Sequence, residues 1–424
     1  MKKLLGEYSE LSPLWIAVFV DILGFSIILP YLPFFMQEYN SSPLIIGLLL
    51  SSNAIFGFFF GPILGKLSDK YGRKPLLLIS QAGTIAGFII LTFSQNIQML
   101  FIARVVDGIF GGQFPISRAI IGDVVPPKDR SKQMTNIGVT FTLAFLIGPA
   151  AGGFLSPFGI FGPGILASVL ATFTIIITAL FLKESLPIKI KNYNEILNQN
   201  TFQTPKGVVD KNFNTIETQI TSIWKNKHTL TILIQYSLLA LAAGVFQTTF
   251  SLFGNIRFNL NAQTIGLLLS SMGIFQVVFR VFFFNKIRDS LGDPKTAMLG
   301  LGSYIISYFL LGLISEVWQL MIVLFYISFS GTTSRGITIG FLSRSVDFRN
   351  QGKIMGISTS LDNTSQILGP LLGGILLSLP NSYLFGLTLS FLSIVPFLLS
   401  FRVLQFGFDN RKPYIAPKMK TINA

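Results

Sequence analysis

No cysteine occurs in the 424 residues, so disulfides, thiolate nucleophiles and cysteine-based metal sites are excluded. The one histidine, His228, lies beside lysines at the end of a polar stretch, where a solvated loop position is expected. Charge is scarce: 12% of residues are Asp, Glu, Lys or Arg, about half the ~25% of an ordinary soluble domain. There is no Walker-type loop, no Gly-x-Ser-x-Gly and no histidine inside an apolar run. The chain is therefore not expected to be an enzyme, and no cofactor or metal is expected.

What the chain has in excess is apolar length. Half of it is hydrophobic and 42 residues are Phe. Twelve apolar runs fall near 14–35, 44–64, 75–94, 99–121, 134–156, 160–182, 229–252, 264–285, 296–314, 317–341, 354–378 and 382–402. Each is long enough to cross ~30 Å of hydrocarbon. The first is too long, and followed by too many others, to be a cleaved signal peptide. An all-α membrane protein of twelve spans follows.

The net charge of +14 could suggest nucleic acid, but the basic residues alternate with the apolar runs, which points to the bilayer instead. Arg257 is the one basic residue in the odd-numbered turns, and Arg104, Arg118, Arg280 and Arg335 lie inside spans. The other Lys and Arg sit in the amino terminus, the even-numbered turns and the carboxyl tail. Both termini are therefore expected in the cytoplasm, with the chain in the cell membrane. Residues 183–228 are polar and separate six spans from six, giving bundles at 1–182 and 229–403, a linker, and a tail at 404–424. A weak amphipathic pattern runs through Ile196–Trp224.

The halves repeat. Asn285-Lys286-Ile287-Arg288-Asp289-Ser290-Leu291-Gly292 matches Gly65–Gly72, and Gly369-Pro370-Leu371-Leu372-Gly373-Gly374 matches Gly148-Pro149-Ala150-Ala151-Gly152-Gly153 at nearly the same offset. Two motifs at one spacing indicate duplication of a six-helix unit. Parallel repeats of this kind are a transporter architecture, with the substrate site near the midplane between the halves.

Several polar positions stand out. The loop Gly65-Lys66-Leu67-Ser68-Asp69-Lys70-Tyr71-Gly72-Arg73-Lys74 is too polar for hydrocarbon and reads as a tight turn made by Gly72. In span 1, Asp21 lies about 10 Å inside the membrane, where a carboxylate should be neutral or paired. Phe25 follows one turn later and is expected as apolar wall. In span 4, helical spacing puts Arg104, Asp107, Gly108 and Gly111 on one face, which should turn inward to spare charge from lipid. Asp107 either pairs with Arg104 or adds a titratable group. Asp362-Asn363 in span 11 is a further polar pair, either a contact to a neighbouring helix or part of the site. Gly57, Gly61 and Gly65 read as helix packing, as does the Gly148–Gly153 motif, where Pro149 also bends the helix.

The 65–74 loop resembles the signature between the second and third helices of the major facilitator superfamily. The span-4 Arg-x3-Gly and the span-5 Gly-Pro-x2-Gly-Gly resemble further motifs of that family, and Asp21 with Pro30 and Pro33 is similar to the first helix of its tetracycline-exporter-like drug/proton antiporters. The resemblance covers essentially the whole chain. It implies a fold of two pseudo-symmetric six-helix bundles and export of a small amphiphilic compound against protons by alternating access. Asp21, Phe25, Arg104, Asp107, Asp362 and Asn363 would line the cavity. Gly65, Asp69, Gly72, Arg73 and Lys74 would form a cytoplasmic latch joining the halves, with Asp123 as partner of Arg73. Because Asp293-Pro294 replaces Arg-Lys in the second copy, Asp289 would be all that survives there. Departing from the family, Asp107 stands where Gln or Ala is common. The expected partners are a small-molecule substrate, protons and lipid, not nucleic acid, and the chain is expected to act as a monomer. Import of a small organic solute, or a channel or passive receptor, are the alternatives.

Overall fold

A computed structural model describes residues 11–125, 127–185, 226–346 and 351–405. The Ile196–Trp224 stretch, most of the expected linker, the first ten residues and the tail from 406 onward lie outside the described residues. Regular structure among the described residues is helical throughout, and it forms twelve spans. Span 1 comprises Ser12–Ile28 and Leu32–Glu38; span 2 is Pro43–Tyr71, span 3 Arg73–Thr92, and span 4 Ile97–Ile109 with Gln113–Val124. Span 5 is Pro127–Leu155 and span 6 Phe161–Phe181. Span 7 is Lys227–Phe258; span 8 runs from Ala262–Val278 through a π-helical turn, Phe279–Phe283, into Phe284–Leu291. Spans 9 to 12 are Asp293–Leu313, Val317–Arg344, Gln351–Ser378 and Tyr383–Gln405. Eleven are long and apolar enough to cross a membrane by composition alone. Span 11 matches them in length at 28 residues, but Asp362, Asn363 and several Ser and Thr make it more polar.

Local chemistry sets the breaks. Pro30 cannot donate a helical hydrogen bond, and span 1 stops at Ile28 before restarting at Leu32. Span 4 stops at Ile109, and Gly111 and Gly112 form the turn before Gln113. The expected single helical face through Gly111 is therefore corrected: Arg104, Asp107 and Gly108 share a helix, whereas Gly111 lies in the break. Gly72 and Gly292, with φ of 109° and 80°, each link two helices as one left-handed residue. His228 is also corrected from loop to the exposed first turn of span 7, which Asn226 caps by accepting from the His228 amide at 3.0 Å.

Packing follows a two-fold pattern. Span 1 contacts spans 5 and 6, span 3 contacts spans 4 and 6, and span 2 contacts span 4. Spans 7, 9 and 8 repeat these contacts with 11 and 12, 10 and 12, and 10. Span 2 packs on 11 and span 5 on 8, joining the halves. Gly57, Gly61 and Gly65 of span 2 face Gly108, Gly111 and Pro115 of span 4.

The two joints are built from bare backbone. Gly47 lies against the Pro370 carbonyl, and Gly374 against the Pro43 carbonyl and Leu44. In the symmetry-related joint Gly266 lies against the Pro149 carbonyl, and Gly153 against Gln263 and Ala262. Ser51 Oγ donates to the Ile367 carbonyl at 2.8 Å, and the Ala150 amide donates to Ser270 Oγ at 3.0 Å. The other glycines of these motifs face inward within their own half: Gly148 and Gly152 meet Ser26 and Ile27, and Gly369 and Gly373 meet Gly244 and Thr249. Around the joints one apolar core is continuous across the halves, including Leu32, Met36, Leu49, Phe253, Ile265 and Phe385. At the other end, where the 65–74 loop lies, the core splits into two clusters, one per half. The halves are thus joined at one end and parted at the other.

Gly148→Leu would drive carbon into the space of Ser26. It is expected to cost roughly 1–3 kcal/mol or more, seen as a lower melting temperature and aggregation on size exclusion. A variant as stable and monodisperse as the parent would show that spans 1 and 5 need no close approach here.

Candidate functional site

Two polar clusters lie within the bundle. The first belongs to the amino-terminal half. Arg104 and Asp107, both buried, approach to 3.4 Å (Nη2 to Oδ2), and Asp107 accepts from Asn53 Nδ2 at 2.8 Å. Room for them comes from span 3, where a side chain on Gly87 would strike Asp107 and one on Gly83 would strike Phe110. Arg104 Nε and Nη2 are buried without a hydrogen bond among the described residues. The neighbours of Asp21 are Thr174 of span 6 and Gln81 of span 3, with Asp107 acting on it through charge. Gln81 donates to Thr178 at 2.9 Å, and Gln113 donates to Thr84 at 3.1 Å. Among the described residues no Lys or Arg forms an ion pair with Asp21, whereas Asp107 has Arg104. Phe25 is half-buried one turn beyond Asp21.

The second cluster lies in the carboxyl-terminal half. Asp362 accepts from the Tyr236 hydroxyl at 2.8 Å and from Arg335 Nη2 at 2.9 Å. Arg118 of span 4 reaches across from the first half, donating to Thr359 Oγ1 at 3.1 Å and interacting through charge with Asp362. The Arg335 side chain is 46% accessible although it sits nine residues before the end of span 10. Asn363 is exposed and makes none of these bonds.

The 65–74 loop holds a third group. Arg73, buried, binds Asp69 at 2.6 Å, Asp123 at 2.9 Å and Ser68 Oγ at 2.7 Å. Glu184 accepts from the amides of Arg73 and Lys74 at 2.9 and 3.0 Å, and Lys74 Nζ donates to the Ala179 carbonyl at 2.8 Å. Gly65 packs on Pro115, and Gly72 makes the turn. All these partners belong to the amino-terminal half, so among the described residues the loop ties spans 2, 3, 4 and 6 together and makes no contact that joins the halves. The described start of the expected linker, 183–185, is likewise part of this group through Glu184.

The expectation that Asp289 alone survives in the second copy is corrected. Asp289 is exposed and, among the described residues, pairs only with its neighbour Arg288, at 3.2 Å. The buried Asp293 binds Arg344 at 2.7 Å instead. Asp293 and Arg344 occupy the repeat positions of Arg73 and Asp123, so the second half carries the same pair with its charges exchanged.

Sequence reading alone missed Asn53, Gln81, Thr174, Glu184, Tyr236 and Arg344 as participants. Arg118 and Arg335 were visible as charges inside spans, but nothing in their own spans shows that they converge on Asp362. Arg344 could have been found by carrying Asp123 forward by the repeat offset.

A two-fold bundle of twelve spans with charged clusters in its interior has the architecture of a secondary transporter, a multi-pass membrane protein. The family model described as Major Facilitator Superfamily matches residues 14–282 and 232–418, and the chain belongs to that family. It is 31% identical over 371 residues to the tetracycline resistance protein, class H, of Pasteurella multocida, covering 87% of this chain and 89% of the relative. It is 27% identical to multidrug resistance protein 2 of Bacillus subtilis (strain 168), covering 91% and 93%. The crystal structure of the human organic anion transporter TETRAN shares the fold, with a TM-score of 0.65, 19% identity and coverage of 92% and 98%.

The exchanged pair is testable by a double-mutant cycle. Asp293→Asn and Arg344→Gln are each expected to lower stability by about 1–2 kcal/mol, with the double variant no worse than either single. Strictly additive losses in thermal melts would show that the two side chains are not coupled.

Proposed function

We propose that the protein exports small amphiphilic, drug-like compounds from the cytoplasm in exchange for protons, by alternating access in the cell membrane with both termini inside. The observation that carries this reading is Asp21: a carboxylate inside span 1 with a second acid, Asp107, acting on it and, among the described residues, no cation paired to it. Charge inside a bilayer is costly, so such an acid is the group most readily neutralised by a proton. Asp362 has a different standing, since Arg335 and Tyr236 both bond to it. The tetracycline and multidrug resistance proteins among the relatives support the direction of transport. The family and the resistance proteins among the relatives support reading the chain as a carrier.

In the proposed cycle a substrate enters from the end bearing the 65–74 loop, where the apolar core is split. Protonation of Asp21 from the opposite side then alternates with substrate binding. Arg104 holds Asp107 in place, and Phe25 gives the cavity an apolar wall. The 65–74 loop, internally satisfied here, meets the other half only when its end closes. Asp69→Asn should therefore slow transport more than it weakens substrate binding.

The test is Asp21→Asn in proteoliposomes under an imposed pH gradient, with tetracycline and ethidium as probes. The variant is expected to let substrate equilibrate down its own gradient while losing pH-driven accumulation, so that the inside-to-outside ratio falls close to unity. Full accumulation by Asp21→Asn would remove it as the coupling acid and move Asp107 into first place. Substrate-driven proton movement with the opposite sign would indicate uptake instead.

A further inference from the structure

We infer that the cluster of Arg118, Arg335, Tyr236 and Asp362 is a subsite for an acidic oxygen group, a carboxylate or enolate, on the transported compound. This rests on the exporter reading above. Two guanidiniums face one carboxylate, so the cluster carries a surplus positive charge. Asp362 is already bonded to Arg335 and to the Tyr236 hydroxyl. Arg118 spends one N–H on the neutral hydroxyl of Thr359, leaving most of its donors uncommitted among the described residues. A surplus guanidinium deep in a membrane bundle is costly to hold, and an arriving anion relieves that cost.

The surroundings narrow the ligand. Arg335 lies nine residues from the end of its helix, about 13 Å along the axis, so its accessibility comes from the cavity and not from the helix end. Tyr304, close enough to Arg335 to interact with its charge, stacks on Tyr308 at 5.2 Å between ring centroids. The Tyr308 hydroxyl is buried without a hydrogen bond among the described residues. A planar oxyanion fits the fork of a guanidinium, while Tyr304 and Tyr308 are buried in the packed core. The chemistry favoured is an organic weak acid. Because Arg118 belongs to one half and Arg335 to the other, an anion held by both would also link its occupancy to the separation of the halves.

The experiment uses the full chain in liposomes under a pH gradient, with nalidixic acid and its uncharged ethyl ester as matched probes. Wild type is expected to accumulate the acid in preference to the ester, and Arg118→Gln and Arg335→Gln to reduce that preference about tenfold, as for loss of a charge-assisted hydrogen bond. Arg335→Lys, which keeps charge but not the fork, should lie between. Removing Arg335 strands Asp362, so Arg118→Gln, which gives up the Thr359 bond and a charge interaction but leaves Asp362 bonded to Arg335 and Tyr236, is the deciding variant. Wild type carrying the ester at least as well as the acid, or Arg118→Gln keeping the full preference, would overturn the subsite while leaving the exporter reading intact. Failure of wild type to accumulate the acid, the ester or ethidium would overturn the exporter reading and the subsite with it.

Discussion

The close approach of bare backbone at Gly47 and Pro370, and at Gly266 and Pro149, governs the arrangement of everything else. Within a membrane no hydrophobic gain separates helix from lipid, so two bundles associate only where their surfaces can come very near. Glycines supply that nearness at one end of spans 2, 5, 8 and 11. One continuous apolar core forms around the two joints. Among the described residues no such glycine joint draws the halves together at the other end, and the core there divides. Arg118 donates to Thr359 across this division.

The exchanged ion pair shows how one duplicated unit was fitted to two electrostatic settings. Asp293 opens the helix of span 9 and Arg344 closes that of span 10, so each charge favours its own helix dipole. In the first half the polarity is reversed. Arg73 opens span 3 and Asp123 sits in the last turn of span 4, so each opposes its dipole. That half adds what the second does not need: Glu184 takes the free amides at the start of span 3, and Asp69 and Ser68 take the remaining guanidinium donors. The elaborate loop and the simple pair are two solutions to one packing problem.

The fold was legible because apolar length and the spread of Lys and Arg are properties of the chain itself. The twelve spans and their duplication need no knowledge of packing. Breaks inside spans were harder to see. Gly111 fits a helical face by spacing, and only the Gly111-Gly112 doublet hints that the helix stops. The site was legible in proportion to how local it was. Arg104 and Asp107 are three residues apart, and their meeting follows from helical geometry. Arg118, Tyr236, Arg335 and Asp362 come from four spans, and their convergence depends on how those spans cross. Asp289 was favoured over Asp293 because the loops were aligned by residue identity. Aligning them by position, with sign left free, leads to Arg344.

The two clusters divide the electrical work unequally between the halves. In the first half, Asp21 and Asp107 oppose one arginine, with the amides and hydroxyls of Asn53, Gln81 and Thr174 around them. Removing one proton from that group makes it a net anion. In the second, Arg335 and Arg118 oppose one carboxylate, so the group carries a surplus of positive charge. A proton and an organic anion would therefore be held by different halves of one cavity. Charge alone would let the two bind together, since a proton on the first cluster removes negative charge opposite the second. Exchange therefore rests on the first cluster, where protonation of Asp21 and occupation by the body of the compound alternate.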